Sequence, residues 1–145
     1  MRMRKILLAE DDARDIELTL AALEEYNLAN RVVVARDGAE ALDYLYCKGK
    51  YVDREKIDPI VVLLDLKMPK MSGLDVLREV KHSKELRKIP IVVLTSSKED
   101  QDIVESYGLG VNAYVVKPVE FEKFAEAIRQ ISLFWILTNE PPPVR

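Results

Sequence analysis

The sequence predicts an α/β fold built on an open parallel sheet, and three observations support this. Short runs rich in Val, Ile and Leu alternate five times with amphipathic segments along the 145 residues. The apolar runs are nearly continuous rather than alternating, the pattern of strands covered on both faces. Charged and hydroxyl residues stand at the carboxyl ends of these runs, where open α/β sheets place their ligands.

The apolar runs are Lys5 to Ala9, Arg31 to Ala35, Ile60 to Leu64, Ile89 to Leu94 and Ala113 to Val116. A helix follows each. Asp12 caps the first, with Asp15 three residues on, and Ile16, Thr19, Leu20 and Leu23 repeat at helical spacing. Asp37 and Glu40 open the second, with an inner stripe of Ala41, Leu42, Leu45 and Tyr46. Ser72 and Asp75 open the third, whose buried side is Gly73, Val76, Leu77 and Val80. Ser97 and Asp100 open the fourth, and Tyr107-Gly108 closes it at a left-handed cap. The fifth begins near Glu120 and is expected to bury Phe121, Phe124, Ile128, Ile131 and Trp135. Right-handed crossovers then put helices on both faces of the sheet.

The composition is 48% hydrophobic and 32% charged, which suits a single packed domain. We expect that domain to span 1–138, with Pro141-Pro142-Pro143 in an extended tail over 139–145. A formal net charge of -3 with no basic stripe argues against direct nucleic-acid contact. The apolar run Ile6-Leu7-Leu8-Ala9 is too short for a secretion signal or a membrane span. Cys47 is the single cysteine, read as a small packing residue on a helix; a reducing cytoplasm is the expected compartment.

The strand ends carry the chemistry. Glu10, Asp11 and Asp12 follow the first run, Asp65 the third, Thr95-Ser96-Ser97 the fourth and Lys117-Pro118 the fifth. Glu10, Asp11 and Asp65 would converge across adjacent strands, and crowded carboxylates need a positive partner. A hard divalent cation such as Mg²⁺ supplies it, and Lys117 brings a fixed positive charge to the same rim. Taken alone, Glu10 and Asp11 read equally as a helix cap with a solvated acidic turn. Asp65 ends a run that should be core, where a carboxylate is costly without a partner or a task. It can act as a nucleophile and form an acyl phosphate. Thr95 is placed to hydrogen-bond the new phosphate or, alternatively, to cap the next helix.

These elements resemble the receiver domains of two-component response regulators. The residues carrying the likeness are Glu10-Asp11, Asp65-Leu66-Lys67-Met68-Pro69 with Gly73, Thr95-Ser96, Tyr114, and Lys117-Pro118. The resemblance implies a flavodoxin-like (βα)5 sheet of order 2-1-3-4-5. It implies that Asp65 is the phosphoacceptor. Mg²⁺ would be held by Glu10, Asp11, Asp65 and the Lys67 backbone carbonyl. Lys117, Thr95 and the Ser96 amide would meet the phosphate, and Tyr114 would turn inward as Thr95 moves. Lys117-Pro118 is expected to be cis. The switching face would be the fourth helix, fifth strand and fifth helix. Ala35-Arg36-Asp37-Gly38, the Lys48 to Pro59 connection, Val111-Asn112-Ala113-Tyr114 and Phe134-Trp135 further resemble single-domain regulators that partner phytochrome-type histidine kinases. A sensor histidine kinase is therefore the expected partner. Leu133 to Leu137 is apolar nearly all round, which suggests a homodimer interface or the kinase docking surface; packing against the chain's own tail or first strand is the alternative.

The main rival reading is an aspartyl-phosphate hydrolase of similar sheet architecture. Such enzymes usually carry a second acid two residues after the nucleophile, where this chain has Lys67. A nucleotide- or flavin-binding module is disfavoured because the first turn is acidic, not glycine-rich. His82 is the sole histidine and lies at a helix end, which leaves no triad or histidine metal cluster to build on. A pseudo-receiver that binds partners without phosphorylation would not need the complete residue set.

Overall fold

The computed structural model describes residues 4–131 and 133–138. Helices and strands alternate in the order β1 (Ile6–Ala9), α1 (Ala13–Glu24), β2 (Val32–Ala35), α2 (Gly38–Tyr46), β3 (Val61–Asp65), α3 (Gly73–His82), β4 (Ile91–Thr95), α4 (Lys98–Ser106), β5 (Ala113–Val116), α5 (Phe121–Gln130) and α6 (Phe134–Thr138). The strands form one five-stranded parallel sheet of order β2-β1-β3-β4-β5. The flavodoxin-like order expected from the sequence is thus the observed one.

Alternating strand side chains feed two cores. Ile6, Leu8, Leu63 and Val92 pack against α1 and α5, whereas Leu7, Leu64, Val62 and Val93 pack against α2, α3 and α4. The near-continuous apolar runs reflect this two-sided burial: every residue of β1, β3 and β4 is buried.

The four side-chain caps read from the sequence all form. The amides of Asp15, Glu40, Asp75 and Asp100 donate to Asp12 Oδ1 (2.9 Å), Asp37 Oδ1 (2.8 Å), Ser72 Oγ (3.2 Å) and Ser97 Oγ (3.3 Å). Each satisfies an amide that the first helical turn leaves unpaired. Gly108 takes the left-handed conformation (φ 61°) after α4, and Lys117-Pro118 is cis.

Three expectations need correction. The fifth helix stops at Gln130, and Ile131 (φ -100°, ψ 13°) leaves helical geometry, so the stripe Phe121 to Trp135 is not one helix. The chain turns there and starts α6, and Leu133, Phe134, Ile136 and Leu137 pack back onto the α1–α5 core. Tyr26 links the two pieces, with its ring 4.5 Å from Phe121 and 5.6 Å from Phe134. Of the residues that pack back, Leu137 is buried and Leu133, Phe134 and Ile136 are partly buried. The Trp135 side chain and the 139–145 tail lie outside the described residues. On α2, the buried aromatic is Tyr44 rather than Tyr46. Cys47 is not helical: it sits one residue past α2 with φ 56°.

The long connection from α2 to β3 is held by Arg54. Its guanidinium donates to the carbonyls of Tyr44 (2.7 Å), Glu55 (2.6 Å), Ile57 (3.1 Å) and Leu45 (3.5 Å). It also lies 4.1 Å from the centre of the Tyr44 ring, a cation–π stack.

Candidate functional site

The carboxyl ends of β1, β3, β4 and β5 meet at one rim. Glu10 continues the sheet one residue beyond β1, its amide donating to Ala35 O at 2.9 Å. This backbone bond commits the side chain inward, and Glu10 is 0% exposed. Asp65 ends β3 and is also buried. α3 approaches the same strand end closely. A Cβ on Gly73 would collide with the Asp65 carbonyl oxygen and lie 2.7 Å from Leu66 Cα, so no larger residue fits without backbone movement. Gly73 N donates to Leu66 O at 2.9 Å, which closes the loop carrying Lys67.

Lys117 projects from the end of β5 into the acids. Its Nζ lies 2.8 Å from Glu10 Oε2, 3.1 Å from Asp65 Oδ1 and 3.1 Å from Asp15 Oδ2. Ligand oxygens of Glu10, Asp11 and Asp65 all fall within 4.8 Å of one another. The geometric expectation from the strand ends therefore holds for Glu10, Asp11, Asp65 and Lys117. Thr95 ends β4, buried, and its carbonyl accepts from Lys117 N at 2.8 Å, so the β4 and β5 ends are tied through the main chain.

Electrostatics at the rim are unbalanced: the Lys117 ammonium meets the carboxyl groups of Glu10, Asp15 and Asp65, and Asp11 stands beside Glu10 and Asp65. Burial pushes the Glu10 carboxyl up to about 7; Lys117 opposes this and the charge of Asp65 adds to it. Burial works against the Lys117 ammonium too, but Glu10 and Asp65 outweigh it and hold the group above its usual range. Glu10 Oε1 accepts from Asp12 N at 3.2 Å. Glu10 Oε2 is buried without a well-directed hydrogen bond, although the Lys117 charge is close. Such an oxygen, in a set made only of hard donors, suits a divalent cation.

The hydroxyl of Thr95 is engaged elsewhere. It donates to Ser97 O at 2.6 Å and accepts from Ser97 N at 3.1 Å, which turns it toward the start of α4. Ser96 is exposed, with its Oγ 3.4 Å from Asp100 Oδ2. Lys67 is exposed in the loop just after Asp65. Tyr114 is half-buried on β5 against the α2–α4 core, where burial raises its phenol above the usual range. Two acids carry more than the sequence reading gave them. Asp15 and Asp100 read only as capping partners, yet Asp15 bonds Lys117 and Asp100 is buried beside both hydroxyls. Nothing in local spacing marks the Asp15–Lys117 contact, whereas the Asp100 contacts span only four and five residues.

Residues 6–129 match the family described as "Response regulator receiver domain". "Response regulator Rcp1" of Synechocystis is 35% identical over 94% of this chain and 92% of its own length. A probable methanogenesis regulatory protein, FilR2, of Methanothrix harundinacea is 39% identical over 94% of this chain and 86% of its own. Among solved structures, the bacteriophytochrome response regulator AtBRR superimposes with TM-score 0.89 at 62% identity, covering 97% of this chain and 100% of its own. The bacteriophytochrome response regulator RtBRR gives TM-score 0.88 at 58% identity over 98% and 86%. With the sheet order, the acid-and-lysine rim and the family match in agreement, the chain belongs to the response regulator receiver domains.

Proposed function

We propose that Asp65 accepts a phosphoryl group from a sensor histidine kinase, and that the aspartyl phosphate then switches the face formed by α4, β5 and α5. The observation that carries this reading is the convergence of Lys117 Nζ with Glu10 and Asp65 at 2.8 and 3.1 Å, beside Asp11. An Asp65 oxygen attacks phosphorus in line, its new O–P bond forming as the P–N bond to the kinase imidazole breaks. Glu10, Asp11, Asp65 and the Lys67 carbonyl would hold Mg²⁺, which supplies charge neutralisation for the transferring oxygens. Lys117 pairs with one phosphoryl oxygen; the Ser96 amide and the Thr95 hydroxyl take others.

For Thr95 this means exchanging its Ser97 partners for the phosphoryl group. Tyr114, packed on the neighbouring strand, then moves inward. Phosphorylation biases a pre-existing equilibrium between the two arrangements. Val116, 50% exposed on β5, and Ile103, 49% exposed on α4, support that face as a partner or homodimer surface. Likeness to bacteriophytochrome response regulators supports a phytochrome-type kinase as the source of the phosphoryl group. The same reading takes 1–138 as the receiver unit, working in the cytoplasm. No described helix is long and apolar enough to cross a membrane.

Incubation with acetyl phosphate and Mg²⁺, followed by intact-mass or Phos-tag analysis, tests the acceptor. Wild type gains one phosphoryl group and Asp65→Asn gains none. Equal modification of the two proteins refutes Asp65 as acceptor.

A further inference from the structure

We propose that Asp15 is a positioning residue for Lys117, giving the ammonium a partner outside the metal-binding carboxylates; this rests on the phosphoacceptor reading above. Lys117 Nζ touches Glu10 and Asp65, the two buried acids to which that reading assigns the cation. A cation held by those acids therefore competes with an ammonium already on them. Asp15 Oδ2 accepts a hydrogen bond from the same Nζ at 3.1 Å, but Asp15 belongs to the first turn of α1 and is absent from the cluster of Glu10, Asp11 and Asp65.

Its side chain is 30% exposed, against 9% for Asp65 and 0% for Glu10, so it stands at the mouth of the site. Position follows from local structure. Asp12 accepts from the Asp15 amide at 2.9 Å, which sets the first turn and leaves the Asp15 carboxylate free to face β5 across 102 residues of sequence. Asp15 thus draws the ammonium toward α1 when the cation enters and keeps it within reach of an incoming phosphoryl group. Without it, Lys117 rests wholly on Glu10 and Asp65 and opposes the cation.

The test is a double-mutant cycle on Mg²⁺ affinity, measured by isothermal titration with the full chain and no phosphodonor. Asp15→Asn is isosteric and retains the backbone amide that Asp12 caps. In the wild-type background it should weaken Mg²⁺ binding about fivefold, the scale of coupling between groups in contact. In a Lys117→Met background, where no ammonium needs placing, the same change should cost at most about twofold, the residue of a screened surface charge. Equal losses in both backgrounds, or no loss in either, overturn the inference. Wild type that binds Mg²⁺ and phosphorylates on Asp65 while Asp15→Asn has no effect sinks this proposal alone. Wild type that binds no Mg²⁺ sinks the phosphoacceptor reading, and this one with it.

Discussion

Two regions of this molecule gather charge against the fold, and they do so in opposite ways. Beneath the α2–β3 connection, Arg54 gives its donors to four carbonyls between 2.6 and 3.5 Å away and stacks on Tyr44. All four of these charge-assisted bonds close on neutral carbonyls. At the sheet rim, one ammonium serves several carboxylates, and a Glu10 oxygen stays without a directed hydrogen bond. The contrast separates a charge that builds the fold from a cluster whose acids outnumber their ammonium partner. Satisfied charge stabilises, whereas unbalanced charge at a strand end is what the proposed Mg²⁺ would offset.

Three experiments bear on this contrast. The largest effect is expected from Arg54→Ala. It orphans the carbonyls and should cost about 2.5 kcal/mol of unfolding free energy. Urea denaturation measures that loss, while Mg²⁺ titration of the folded variant should match wild type. A coupled fall in Mg²⁺ affinity would erase the distinction. Next, Mg²⁺ at ten times its dissociation constant should stabilise wild type by about 1.4 kcal/mol. Differential scanning calorimetry should show a rise of about 4 °C, reversed by EDTA. The same addition should leave a Glu10→Gln, Asp11→Asn double variant unmoved.

Smallest is the effect of Glu10→Gln on the metal-free protein. Burial opposes the Glu10 charge, and Lys117 keeps Asp65 and Asp15 as partners. Removing that charge should therefore stabilise the metal-free fold at pH 8 by about 1 kcal/mol. The sign is opposite to that at Arg54, and destabilisation in the same urea assay would place Glu10 with the fold-building charges.

Much of this was legible in the chain because its signals are local. Val61 to Leu64 announces a doubly covered strand, and Ser72 with Asp75 marks a helix start, because each depends only on near neighbours. The convergence of Glu10, Asp11, Asp65 and Lys117 was also readable, since a parallel sheet brings all its strand ends to one rim. What escaped depends on tertiary placement. Asp15 satisfied the capping pattern so well that its meeting with Lys117 had no separate signature. The apolar residues from Phe121 to Trp135 keep helical spacing across Ile131, yet the chain bends there because the core offers Phe134 and Leu137 a place beside Tyr26 and α1. Periodicity records which side chains want burial; it does not record the surface available to bury them.

The main-chain bond from Lys117 to Thr95 O has a mechanical meaning. It works as a gauge block, fixing the gap between the roots of the two side chains that, in the proposed function, would clasp the phosphoryl group. With the anchorage set by the sheet, rotation about side-chain bonds is the easiest way to adjust the grip. Under the proposed function, a free and a phosphorylated Asp65 would then be told apart first by the rotamers of Thr95 and Lys117, while the strand ends keep their spacing.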